Sequence, residues 1–171
     1  MTNFTHADYH HLERYPDASF DGVCVVETLC HSTDPRKVLS EHFRVIRPGG
    51  RIAVAEYEHV DEKQMTKKHR DGMHYMTRVG AMPALHLFQF GVLETLLADQ
   101  GFQNVKNQDL TENTRPLLQL FFVFAFIPYL IISFLGLKKH FTNTVGAVVG
   151  YRADRKNYGK YSVITATKPG S

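Results

Sequence analysis

Residues 20–28 form an apolar run with β-branched Val23, Val25 and Val26, the pattern of a strand buried on both faces. Glu27, Thr28 and His31 then gather polar groups where that strand should end. Asp34 suits a helix N-cap and Pro35 the first helical position. Val38, Phe43, Val45 and Ile46 give the following helix an apolar face. Pro48-Gly49-Gly50 should stop it, and residues 51–57 restart as a strand rich in Ile, Val and Ala. This alternation predicts a βαβ unit of a parallel sheet. Ligands of open α/β sheets bind outside the carboxyl ends of the strands, which makes residues 27–31 and 56–58 the candidate site.

Further along, residues 59–82 are charged and Met-rich and predict a helical excursion from the tip of the second strand. Its roles stay open between a lid over the site and a solvated helix. Residues 90–100 predict a helix, with Val92, Leu93, Leu96 and Leu97 as its apolar stripe and Gly101 as its stop. Residues 102–111 and 161–167 predict two more strands, the second closed by Lys168-Pro169-Gly170. The chain thus divides into a βαβ part (1–60), a lid-like excursion (61–89) and a C-terminal part (90–171).

Residues 117–137 carry no charge over a length that suffices to cross a bilayer, and Lys138, Lys139 and His140 follow directly. Three readings remain open. One is a spanning helix, which would strand residues 161–167 across the membrane from their sheet. Another is a pair of buried core helices broken near Pro128. The last is an apolar face that lines a lipophilic-substrate pocket and rests on a membrane surface. Gly146 and Gly150 form a GxxxG spacing that carries little weight outside a clear span.

The length of 171 residues fits one domain, and 43% hydrophobic with 22% charged residues describes a globular chain. A net charge of +3 with scattered Lys and Arg gives no reason to expect nucleic acid. The N-terminal residues are polar and show no signal-peptide core. Asn3-Phe4-Thr5 matches a glycosylation acceptor, which has meaning only in a secreted protein. Cys24, within a strand, reads as a small buried hydrophobe. Cys30, beside His31, reads as a packed or site-lining thiol or as a nucleophile. Neither a disulfide framework nor a zinc spacing is present. His6, His10 and His11 resemble a metal-ligand grouping but lack carboxylate company, which favours a solvated or cofactor-adjacent loop; no metal is expected.

GxGxxG, P-loop and GxSxG patterns are all absent, since Gly49-Gly50 follows a helix and precedes a strand. What is present is Asp17, Ser19-Phe20-Asp21, Val23, Glu27-Thr28 and His31, then Glu41, Phe43-Arg44-Val45-Ile46-Arg47-Pro48-Gly49-Gly50, Ala53-Val54 and Glu56. This series resembles the class I S-adenosylmethionine-dependent methyltransferases, and among them the sterol 24-C-methyltransferase branch. The likeness runs more loosely through residues 93–102, Asp109-Leu110, Leu135-Gly136 and Lys168-Pro169.

The resemblance implies an α/β, Rossmann-like class I methyltransferase fold, of which this chain supplies the C-terminal half. Its strands would be four to seven, with the last antiparallel and inserted beside the fifth. The N-terminal strands, with the Gly-rich loop that grips S-adenosyl-L-methionine, would lie before Met1. Asp8 and Tyr9 resemble the adenine-contacting pair; with Glu27, Thr28 and His31 they form the implied cofactor residues. Glu27 and His31 are the implied catalytic pair, and Glu56 and Tyr57 the substrate contacts. The implied acceptor is small, lipophilic and sterol-like, methylated on carbon in preference to oxygen. Quinones, secondary metabolites and a non-catalytic membrane-associated remnant of the fold are the alternatives. Expected partners are peripheral membrane contact and a homo-oligomer, in the cytoplasm at an endoplasmic-reticulum or lipid-droplet surface.

Overall fold

The computed structural model describes residues 4–170. Strands β1 (Phe20–Val26), β2 (Ile46–His59), β3 (Gln103–Asp109) and β4 (Gly159–Thr167) form one sheet in the order β1-β2-β4-β3. β1 is parallel to β2, and β4 runs antiparallel between β2 and β3. Helix α1 (Pro35–Val45) makes the crossover between β1 and β2, giving the expected βαβ unit. The closing strand is inserted as the resemblance implies.

α1 starts where the sequence says it should. The Asp34 carboxylate accepts the Lys37 N–H at 3.1 Å, and Val38, Leu39 and Val45 are buried. Its end differs from expectation. The helix stops at Val45 and β2 begins at Ile46, so Pro48-Gly49-Gly50 lies inside the strand as a bulge. Register makes this plain: Phe20 faces Ile46, yet Gly22 already faces Arg51. A Cβ on Gly50 would sit 2.6 Å from Ile46 Cγ2 and 2.7 Å from the Asp21 carbonyl oxygen, so only glycine fits there. The helix stop comes instead from far along the chain. Lys168 Nζ donates to the carbonyls of Phe43 and Ile46, both at 2.7 Å, and lies 4.6 Å from the centre of the Phe43 ring.

β1 is not buried on both faces: Val25 is buried, but Val26 and Phe20 are exposed, and Cys24 is exposed rather than a core hydrophobe. The physical reason is position. β1 is an edge strand with β2 as its single neighbour among the described residues. The main core gathers Leu39, Ile46, Ile52, Phe88, Leu93, Leu97 and Ile164, and β1 joins it through Val25. Helix α3 (Val92–Asp99) supplies Leu93, Leu96 and Leu97 to it, and Gly101 ends that segment at φ +97°.

The excursion folds as expected into helical pieces, chiefly α2 (Lys67–Val79) between two 3-10 turns. After β3, helix α4 (Thr111–Phe134) runs for 24 residues and α5 (Thr142–Asp154) returns the chain to β4. α4 is not a pair of buried core helices. It continues through Pro128, and Ile132 is its one buried residue. Nor is it a single crossing that divides the sheet, because β4 is zipped between β2 and β3 on its return. α4 and α5 lock together through the stacked rings of Phe122 and Tyr151, 4.3 Å apart, and the Arg115–Asp154 ion pair at 3.0 Å.

Candidate functional site

A cavity of about 910 Å³ opens beyond the carboxyl ends of β1 and β2. One wall is the excursion, with Met65, Met73 and Met76. Another is α4, with Leu118, Phe121 and Phe124. Thioethers and aromatic rings give these walls an adaptable, apolar character suited to a large unpolar ligand. Polar groups collect at the strand tips, where Glu27, His31, Tyr57 and Tyr161 line the same space.

Glu27 holds a left-handed conformation at φ 48°, a strained arrangement for a residue with a side chain, while its N–H still donates to the Ala55 carbonyl at 2.9 Å. Tyr57 and Tyr161 are cross-strand partners of β2 and β4, with rings 4.9 Å apart edge to face. Burial, and then the negative charge of Glu27, push both hydroxyls up to about 12. These phenols therefore stay protonated at neutral pH and can donate hydrogen bonds. His31 Nδ1 lies 2.7 Å from the Ala81 carbonyl oxygen, to which only an N–H can donate. That fixes the tautomer of the neutral ring and leaves the Nε2 lone pair able to accept a proton.

Glu56 departs from its expected role as a substrate contact. It is fully buried and does not line the cavity. Its Oε1 accepts the Cys30 N–H at 3.1 Å and so pins the 3-10 turn at Leu29–His31. Burial raises its carboxyl above the ordinary range. Tyr57, the next residue on β2, lines the cavity, while the Glu56 carboxylate is taken up by the Leu29–His31 turn. Cys30 is buried, and desolvation followed by the Glu56 charge pushes its thiol up to about 12. A thiol so rarely ionised is no nucleophile, which leaves the packed, site-lining reading.

The implied cofactor residues fall on two sides of this turn. Glu27 and His31 line the cavity, whereas Asp8, Tyr9 and Thr28 do not. The Tyr9 hydroxyl donates to the Thr28 carbonyl at 3.3 Å, which ties the N-terminal segment to the strand end. Asp8 stays largely exposed and accepts from His10, whose ring stacks on Tyr9 at 4.8 Å. An exposed carboxylate beside a flat ring pair suits a purine amine, and the Glu27 carboxylate suits a sulfonium. The residues present thus fit S-adenosylmethionine. Among the described residues no group of three His, Cys, Asp or Glu could hold a metal, and His11 bonds Glu13 at 3.0 Å.

A clamp holds that N-terminal segment in place. Glu41, buried on α1, accepts the Leu12 N–H at 3.0 Å and pairs with Arg44 at 2.9 Å. Arg44 also donates to the carbonyls of Leu12 and Tyr15 and to Asp17 at 2.7 Å. The Glu-x-x-Arg spacing of the sequence motif is therefore structural.

Tyr161 was missed from sequence because its strand was read for β-pattern alone. The antiparallel direction that the resemblance implies is the signal, since it brings the first residues of β4 beside the last of β2. The excursion, which the sequence leaves open between a lid and a solvated helix, lines the cavity through Met65, Met73 and Met76.

A family model described as a methyltransferase domain matches residues 2–54. A [4+2]-cyclase, SpnF, superposes with a TM-score of 0.69 at 23% identity, over 99% of this chain and 57% of that one. The inserted antiparallel strand and this superposition decide the architecture. The fold is that of the class I methyltransferases. A curated relative, the S-adenosyl-L-methionine-dependent Diels-Alderase iccD of Talaromyces variabilis, is 31% identical over 166 residues, covering 95% of this chain and 56% of that protein. The sterol 24-C-methyltransferase of Eremothecium gossypii is 28% identical over 68% of this chain and 31% of its own length. Other relatives are named as O-methyltransferases or as a quinone C-methyltransferase, so the sterol branch is not singled out within this methyltransferase fold. The chain spans just over half of the Diels-Alderase and about a third of the sterol enzyme.

Proposed function

We propose that the protein forms the acceptor side of an S-adenosylmethionine-dependent methyltransferase acting on a small lipophilic molecule. The observation that carries this is the largely apolar cavity into which Glu27, His31, Tyr57 and Tyr161 come together at the strand tips. Bound S-adenosylmethionine would be held through Asp8, Tyr9 and Thr28 and would supply an electrophilic methyl. The cavity walls hold the acceptor in line and exclude water, an advantage of up to roughly 7–11 kcal/mol from proximity.

For a carbon acceptor, the acceptor's π-electrons would bond the methyl carbon as its bond to sulfur breaks and neutral S-adenosylhomocysteine leaves, and positive charge would grow on the neighbouring carbon. The Glu27 carboxylate and the two tyrosine rings face that charge, and Glu27 takes the proton whose loss restores neutrality. A sterol-like alkene is the acceptor we favour. For an oxygen acceptor, the free Nε2 of His31 takes the hydroxyl proton instead.

A second reading has its own support. The relative matched along 95% of this chain is named a Diels-Alderase, and the same cavity could fold one polyene onto itself. Mass spectrometry of products separates the two. Incubation with S-adenosylmethionine and a lipophilic alkene should give a product heavier by one CH₂. An isomer of unchanged mass would favour cyclisation, and recovery of substrate alone would count against both.

A further inference from the structure

We propose that the outer face of α4 docks on an anionic lipid bilayer. This goes beyond the methyl-transfer reading and does not depend on it. α4 has three faces. One packs on α5 through Phe122 and Tyr129, and a second lines the cavity through Leu118, Phe121 and Pro128. The third carries Leu120, Val123, Phe124, Ile127, Ile131 and Phe134 at helical spacing, with exposures from 50% to 91%. No charged residue occurs from Pro116 to Leu137, so this stripe, from Leu120 to Phe134, runs unbroken for about 21 Å at 1.5 Å per residue. A patch of that extent marks an interaction surface.

Charge identifies the occupant. No Asp or Glu lies between Glu112 and Asp154, while Arg115, Lys138, Lys139 and Arg152 do. Glu112 and Asp154, at the base of the hairpin, both pair with Arg115, so the charges left over are Lys138, Lys139 and Arg152, all positive. Its tip holds Lys139 and His140, both exposed, beside Phe141, which is 48% exposed. An apolar face that leads into Lys138 and the exposed Lys139 at the hairpin tip, with no carboxylate beyond the hairpin's base, complements anionic headgroups above acyl chains. Phe124 lies on both the exposed face and the cavity wall, so a docked helix would bring the cavity mouth to the lipid.

The test is flotation of the chain with vesicles of phosphatidylcholine containing phosphatidylserine, against phosphatidylcholine alone, at physiological salt. The chain should float with the anionic vesicles. The double variant Ile127→Glu/Phe134→Glu should lose at least tenfold in partitioning, with its circular dichroism unchanged. Lys139→Gln should lose about fivefold on anionic vesicles and little on neutral ones, the effect of roughly one cation near a charged surface. Absence of flotation with either vesicle overturns the proposal, as does flotation that the double variant leaves intact. Light scattering supplies the remaining outcome: a dimer that fails to float and dissociates in the double variant assigns the face to a second copy instead.

Discussion

Replacing Glu41 with Gln tests the clamp on which the N-terminal half of the site depends. Its hydrogen bonds from Arg44, opposed by burial and aided by the Leu12 N–H, lower the Glu41 carboxyl from 4.5 to about 2. At 1.36 kcal/mol per pH unit such a gap corresponds to ~3 kcal/mol. Arg44 is 27% and Asp17 78% exposed, so solvent screens the interaction to roughly 1–2 kcal/mol. Because the folded-state value is depressed, this stability is present above 4.5 and is lost as pH falls towards 2. Urea unfolding followed by circular dichroism should show wild type more stable than Glu41→Gln by ~1–2 kcal/mol at pH 7. The gap should hold to about pH 5, narrow below 4.5 and close near 2. A gap that ignores pH, or widens in acid, would refute the reasoning.

Other consequences follow from single contacts. Alkylation near pH 8 with peptide mapping should modify exposed Cys24 and leave Cys30 unmodified in the folded chain, since the Cys30 thiol is pushed up to about 12. Equal labelling would return Cys30 to the nucleophile reading. Gly50→Ala should cost upwards of 2 kcal/mol in urea unfolding, because its Cβ would meet backbone oxygen at 2.7 Å. A neutral result would mean that the bulge moves freely. Lys168→Met keeps the stem over Phe43 but removes the cation from the end of α1; a loss of ~1–2 kcal/mol is expected in the same assay.

The βαβ unit was legible because its signals are local, β-branched residues and Asp34 before Pro35, although Pro48-Gly49-Gly50 proved a bulge inside β2 and not a turn. Cys24 was misplaced because an edge strand looks like a central one until its neighbours are known. The roles of Glu56, Arg44 and Lys168 were out of reach for a related reason. Their partners lie 26, 32 and 125 positions away, so a carboxylate at a strand tip and a pin under a turn read alike. At residues 117–137 composition left three choices open. The return of α5 to a strand inside the sheet removed the divided sheet, and the unbroken α4 with Ile132 as its one buried residue removed the buried helix pair.

The central claim is that Glu27, at the strand tips in a largely apolar cavity, serves methyl transfer. Its most direct measurement compares label transfer from methyl-labelled S-adenosylmethionine to a sterol-like alkene in wild type and Glu27→Gln, beside calorimetric binding of S-adenosylhomocysteine. The account predicts transfer in wild type, a loss of about 100-fold or more in the variant, and binding within about twofold in both. Transfer that the variant leaves unchanged would contradict it.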